Sequence, residues 1–207
     1  MKPWLFDILA CPIDKNFPLQ LYIFSFETKS IDFRTFIEIY QKRNIDLLKK
    51  EELIEIYQEN EKTFMKDNVI IEGAELKDYV NLVLLSIKEL DNIFDRTSNM
   101  HSKECFKILK SIIKLKILEF SEKVNPNQID DILPELYFLN KIKVETEIDS
   151  GLLFCKKCNR WYPIIETIPQ MLPDEYRNKE KEIEFLKINK NLLDEEFLNQ
   201  DLKPFNL

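Results

Sequence analysis

The chain has 207 residues, of which 44% are hydrophobic, and a formal net charge of −7. That is enough apolar material to bury a real core, as one compact domain with an insert or as two small lobes, and it excludes a disordered chain. The acidic balance disfavours broad, sequence-independent contact with nucleic-acid phosphate, which relies on Lys and Arg displacing counterions. No stretch approaches the ~20 apolar residues of a membrane span and no charged-then-apolar leader opens the chain, so a cytoplasmic protein without membrane contact is expected. Only Gly73 and Gly151 are present. No glycine-rich loop for a nucleotide or for S-adenosylmethionine can be written from them, and this chain is expected to bind neither. His101 is the one candidate for histidine-dependent chemistry, so an enzyme is poorly supplied.

In chain order, Leu5, Ile8 and Leu9 give a short helical face that delivers the chain into Cys11-Pro12-Ile13-Asp14-Lys15. This is half of a metal-binding turn, with Asp14 where a second cysteine would stand. From Pro18 to Phe26 apolar residues alternate on both faces, as in a covered central strand. The middle, 34–142, reads as an inserted helical lobe. Phe33, Phe36, Ile37 and Tyr40 keep helical spacing, as do Leu76, Tyr79, Val80, Val83, Leu84, Ile87, Leu90 and Phe94. A third stripe, Phe106 to Phe120, follows Ser102 as its cap, and Asn125-Pro126 opens a fourth helix that Pro134 breaks or restarts. His101 and Cys105 share a helix face but lack a third ligand, and are read as structural.

Val144, Thr146 and Ile148 then alternate with charged residues as a half-buried strand, Asp149-Ser150-Gly151 turns it into a hairpin, and Leu152-Leu153-Phe154 leads to Cys155. Cys155-Lys156-Lys157-Cys158 can present two sulfurs to one tetrahedral ion, and Asn159 suits the left-handed position that follows. Cys11, Asp14, Cys155 and Cys158 together could close a zinc site. Without metal they would form a small apolar cluster or a Cys11 disulfide. Trp161 to Ile165 is aromatic and β-branched, and Pro163 argues for an edge strand or a bulge. The run Ile168-Pro169-Gln170-Met171-Leu172-Pro173 is too proline-punctuated for a helix and suits burial by a partner. Asp174 can cap a helix carrying Tyr176, Ile183 and Leu186, and Leu192, Leu193 and Phe197 form a last apolar set.

The expected architecture is therefore α+β: a small antiparallel β unit made by both chain ends (1–33 and 143–173), the helical lobe 34–142, and a C-terminal helical extension, 174–207. Partner contacts are expected from strand addition at the Trp161 edge and from apolar anchors, with Trp161, Pro163, Ile164, Ile168, Met171 and Leu172 as the contact residues. A free-standing zinc-ribbon binder of nucleic acid is the alternative, but it would need a more basic face than Lys15, Lys156, Lys157 and Arg160 supply. A thiol oxidoreductase is disfavoured because its cysteine pair would open a helix rather than a strand.

Leu9-Ala10-Cys11-Pro12, Gly151-Leu152-Leu153-Phe154-Cys155, Arg160-Trp161-Tyr162-Pro163-Ile164-Ile165 and Ile168-Pro169-Gln170-Met171-Leu172-Pro173 together resemble the small activator subunit of transfer-RNA methyltransferases, the archaeal and eukaryotic "Trm one-twelve" family. The resemblance covers roughly 1–26 and 144–174. It implies a zinc-ribbon-like domain with a helical domain, no catalysis, and several methyltransferase catalytic subunits as partners, one at a time. Those partners act on tRNA, ribosomal RNA or a release factor, so tRNA would be met only through the partner. It also implies that zinc is held through cysteines in some members and lost in others, with Asp14 here at the second cysteine position.

Overall fold

The structure, a computed structural model, describes residues 1–207. In chain order its elements are α1 (Pro3–Phe6), β1 (Gln20–Phe26), α2 (Ser30–Lys42), α3 (Ile45–Lys50), β2 (Ile54–Glu59), β3 (Lys62–Asp67), β4 (Ala74–Glu75) and α4 (Leu76–Glu89). They continue as β5 (Ile93–Asp95), α5 (Met100–Ile108), α6 (Lys114–Glu122), α7 (Ile129–Asn140), β6 (Ile148–Cys155), β7 (Arg160–Ile165), β8 (Ile168–Pro169), α8 (Lys179–Asn189) and α9 (Glu195–Leu198). The protein is thus mixed α+β with two small sheets. No helix is long and apolar enough to cross a membrane. Residues 1–28, 92–98 and 147–207 make one compact unit, and 29–91 with 99–146 make another.

The first unit holds a five-stranded sheet in the order β5-β1-β6-β7-β8. Its pairings are antiparallel except one: β5 lies parallel to β1, with Ile93 opposite Leu21. A parallel neighbour needs a long crossover. Here the chain between Phe26 and Ile93 supplies it, so the sheet is not the purely antiparallel unit that its pattern predicts. Tyr22 and Phe24 from β1, Leu152 and Phe154 from β6, and Trp161 from β7 form one buried face. Leu186, Leu193, Phe197 and Leu202 cover it, so the C-terminal extension belongs to this core. On the opposite face Leu21, Leu153 and Tyr162 are aligned in register and buried.

Gly151 is the clearest departure from the expected hairpin. It lies within β6 at an ordinary negative φ, and a Cβ placed on it would come 2.6 Å from the Tyr22 carbonyl oxygen. Close backbone approach, rather than a turn, requires the glycine. Val144 is likewise not in a strand: residues Lys141–Glu145 wind as a wide helical turn that continues α7, and β6 starts only at Ile148.

The second unit is not wholly helical. β2 and β3 form a hairpin, with Ile56 opposite Met65, and β4 joins as a third strand. Its two-residue loop is Asn60-Glu61, at φ 49° and 64°, the paired left-handed geometry that a twisted hairpin favours. The helical stripes otherwise bury the expected residues: Phe33, Phe36, Ile37 and Tyr40 on α2, and Tyr79, Val80, Val83 and Ile87 on α4. The α4 stripe ends at Glu89, because Phe94 has passed into β5. Asn99, not Ser102, caps α5, accepting from the His101 and Ser102 amides. Pro134 neither breaks nor restarts α7; it sits within the helix, which gives up the one main-chain bond that residue 134 would have donated to the Asp130 carbonyl.

Candidate metal centre

Two separate turns of the first unit are built alike. In the first, the Lys15 amide donates to the Cys11 carbonyl at 2.9 Å and Lys15 takes φ 57° directly after Asp14. In the second, the main-chain N–H groups of Lys157 and Cys158 point to the Cys155 sulfur, and Asn159 takes φ 55° directly after Cys158. A left-handed residue after the second ligand reverses the chain so that both ligand side chains face the same point, and Asn tolerates that region better than most residues. The β6–β7 pairing then sets the second turn at the end of a rigid hairpin, with Cys155 opposite Arg160.

The turns converge. Ligand atoms from Cys11, Asp14, Cys155 and Cys158 all lie within 4.8 Å of one another. A tetrahedral ion with Zn–S of about 2.3 Å spaces its sulfurs about 3.8 Å apart, and a carboxylate oxygen at about 2.0 Å falls about 3.5 Å from a sulfur. Cys11 Sγ is 3.7 Å from Cys158 Sγ, and Cys155 Sγ is 3.6 and 3.7 Å from the two Asp14 oxygens. A disulfide would need about 2.05 Å, and all of these cysteines are free. Three soft sulfurs with one oxygen select a thiophilic ion over calcium or magnesium.

The surroundings act in opposite directions on a sulfur and on the oxygen ligand. Burial pushes the Cys155 thiol up to about 12, against the pull of the Cys158 and Lys157 amides. Asp14 is held below the usual carboxylate range, chiefly by the Asn16 amide, which donates to it at 3.0 Å. The chain also supplies an outer shell of the kind that orients metal ligands. The Tyr162 hydroxyl lies 3.3 Å from Cys11 Sγ, and Arg160 reaches both Asp174, at 2.8 Å, and the Cys158 side chain. Neither residue stands out by type. The signal that finds them is strand parity, since Cys155 is opposite Arg160 and alternation carries the same face to Tyr162.

The expected contact residues divide. Trp161, Pro163 and Ile164 are buried in their own unit, Trp161 and Ile164 at 0% exposure, so they are core rather than surface anchors. The outer edge of β7 is also taken. The Gln170 amide donates to the Pro163 carbonyl at 2.8 Å, and at the other end the Trp161 amide donates to the Lys203 carbonyl at 3.2 Å. Pro163 is tolerated because its missing N–H faces this outer side, away from β6. Ile168 and Leu172 do face solvent, at 60% and 42% exposure, with Met171 half-buried between them.

The fold and the cluster define the class first: a mixed α+β chain with a sulfur-rich, four-ligand cluster assembled from two turns at opposite ends of the sequence. The chain belongs to the Trm112p-like protein family, whose profile matches residues 2–166. No curated protein and no solved structure matches it.

Proposed function

We propose that this chain is a non-catalytic activating and stabilising subunit of S-adenosylmethionine-dependent methyltransferases acting in the cytoplasm on tRNA, and on ribosomal RNA or a release factor through other partners. Membership of the Trm112p-like family supports a methyltransferase partner. The observation that carries the binding mode is the outward apolar run after β7: Ile165, Ile168, Leu172 and Tyr176 are all exposed beside the short outer strand β8. Apolar anchors at a sheet edge suit a partner strand that adds by main-chain pairing and fills its pockets with these side chains. Cys11, Asp14, Cys155 and Cys158 hold zinc in a zinc-ribbon-like β unit, where the ion has a structural role and fixes the two turns. The partner supplies the cofactor pocket and meets the RNA.

Co-expression of the full chain with S-adenosylmethionine-dependent tRNA methyltransferase subunits of its own organism tests this reading. Ile168→Asp or Leu172→Asp should weaken the complex by about 2 kcal/mol or more, roughly thirtyfold. The melting temperature of the free chain should not move, because both side chains already face solvent. Full recovery of the partner with either variant would remove this edge from the interface.

A further inference from the structure

The residues beyond the family match do more than extend the chain: their last stretch is fastened to the metal turn. The Lys203 amide donates to the Asn159 carbonyl at 2.9 Å and the Trp161 amide donates to the Lys203 carbonyl, so Lys203 makes a single parallel bridge with Arg160 on the outer edge of β7. The Trp161 indole N–H donates to the Phe205 carbonyl at 3.0 Å. Leu202, at 2% exposure, packs into the cluster around Trp161. Arg177, paired with Glu182, stands 5.2 Å from the Trp161 ring centre and 5.7 Å from that of Phe205.

From this geometry we propose that residues 199–207 are a strap over Trp161 whose docking is coupled to metal occupancy of Cys11, Asp14, Cys155 and Cys158. The coupling rests on the zinc assignment above. Its path is one residue long. Asn159 follows the ligand Cys158 in a left-handed conformation, and its carbonyl is the acceptor for the strap. An ion that holds Cys155 and Cys158 together fixes that turn and aims the carbonyl. Without the ion, only the Lys157 and Cys158 amides, which point to the Cys155 sulfur, hold that turn, and nothing ties it to Cys11 and Asp14 across a common centre.

Beyond Lys203 the main-chain pairing of the strap with β7 stops. Pro163 has no N–H to donate the next parallel rung, and the Phe205 carbonyl is taken by the Trp161 indole instead. Beside the start of the strap lies a cavity of about 490 Å³ bounded by Tyr22, Phe154, Phe197 and Gln200. Because coupling is reciprocal, whatever docking gains from the ion, the ion gains from docking. Release would uncover the side of the Trp161 ring that Leu202 and Phe205 meet and the Arg160–Trp161 edge of β7, so the metal state would set access to both.

The full-length Trp4→Phe chain leaves Trp161 as the sole tryptophan. Zinc is the probe, added to chelator-stripped protein, with bound zinc counted and acrylamide quenching of Trp161 measured at unchanged far-UV dichroism. The quenching constant should fall at least threefold on loading with one equivalent. Leu202→Asp in the full chain should weaken zinc about tenfold against a competing chromophoric chelator; if that variant does not fold, the quenching comparison, which needs no strap mutation, decides alone. One equivalent of zinc bound with unchanged quenching overturns the coupling and leaves the zinc site standing. Quenching that changes only together with loss of dichroism overturns it too, since the ion would then act on the whole unit. No zinc bound at all overturns the zinc assignment and the coupling with it.

Discussion

Each unit holds a polar cluster, and the two clusters are built differently. In the unit formed by 29–91 and 99–146, Glu135 is wholly buried yet accepts from Arg43 at 2.6 and 3.2 Å, from Lys116 at 2.9 Å and from the Tyr40 hydroxyl at 3.2 Å. Asp67 accepts from the Tyr79 hydroxyl at 2.6 Å, from Asn140 at 2.9 Å and from the Val69 and Ile70 amides. Both carboxylates are answered from within the chain. In the other unit Cys11, Asp14, Cys155 and Cys158, from two separate turns, bring four ligand atoms within 4.8 Å of one another. Buried polar groups that the chain satisfies itself are structure; soft ligands from separate turns that converge on one point form a place for a cation.

Trp161 puts that criterion to its hardest test, because sequence pattern marks it as a partner anchor. Its indole N–H is satisfied by Phe205 and its ring is closed in by Leu186, Leu193, Phe197 and Leu202, so it counts as structure. Trp161→Ala should cost about 3–5 kcal/mol of stability in the free chain, the scale of a large aromatic lost from a core. Chemical denaturation measures it, and a variant as stable as the parent would return Trp161 to the surface. The cluster is the converse case. At free zinc a hundredfold above its Kd, loading should stabilise the unit that holds the cluster by about 2.7 kcal/mol, and Cys158→Ala should abolish the gain. Hydrogen exchange read on β6 amides against α7 amides localises the effect. Equal protection of both, with and without zinc, would erase the contrast between the units.

Local chemistry made the metal turns legible and hid several of the strands. The Cys155-Cys158 spacing and the residue type at 159 carry the turn geometry in five letters, and Cys11 with Asp14 repeats it. The β2–β3 hairpin was hidden because its turn uses Asn60-Glu61 where glycine would have announced it, and because the Lys and Glu residues on its exposed face look like helix surface. β5 is three residues long and continues the apolar stripe of α4, so periodicity runs straight through the boundary. The burial of Trp161 was out of reach for another reason. It depends on Leu202 and Phe205 some forty residues on, and no local pattern encodes which segment covers a strand. Gly151 was read as a turn because glycine most often marks one; its cause here is the Tyr22 carbonyl, a contact made only after the sheet forms.

Glu135 tests the other half of the contrast. Burial pushes its carboxyl up, but the hydrogen bonds and charges of Arg43 and Lys116 outweigh that and hold it below the usual glutamate range. A pKa lower in the folded than in the unfolded chain gives stability that is fully present above the unfolded value, about 4.3, and is lost as pH falls through the folded one. Glu135→Gln keeps the shape and can still accept from Arg43, but it removes the charge. At neutral pH it should cost about 1–2 kcal/mol, the difference between charged and neutral hydrogen bonding at a site whose cations reach solvent. As pH falls below about 4 the parent's advantage should shrink towards zero, because the parent too becomes neutral there. Urea titrations of both proteins from pH 7 to pH 3 would show the two stabilities converging. A gap that stays constant across that range would mean that shape rather than charge secures Glu135, and the carboxylate would no longer stand as a charge the chain has balanced for itself.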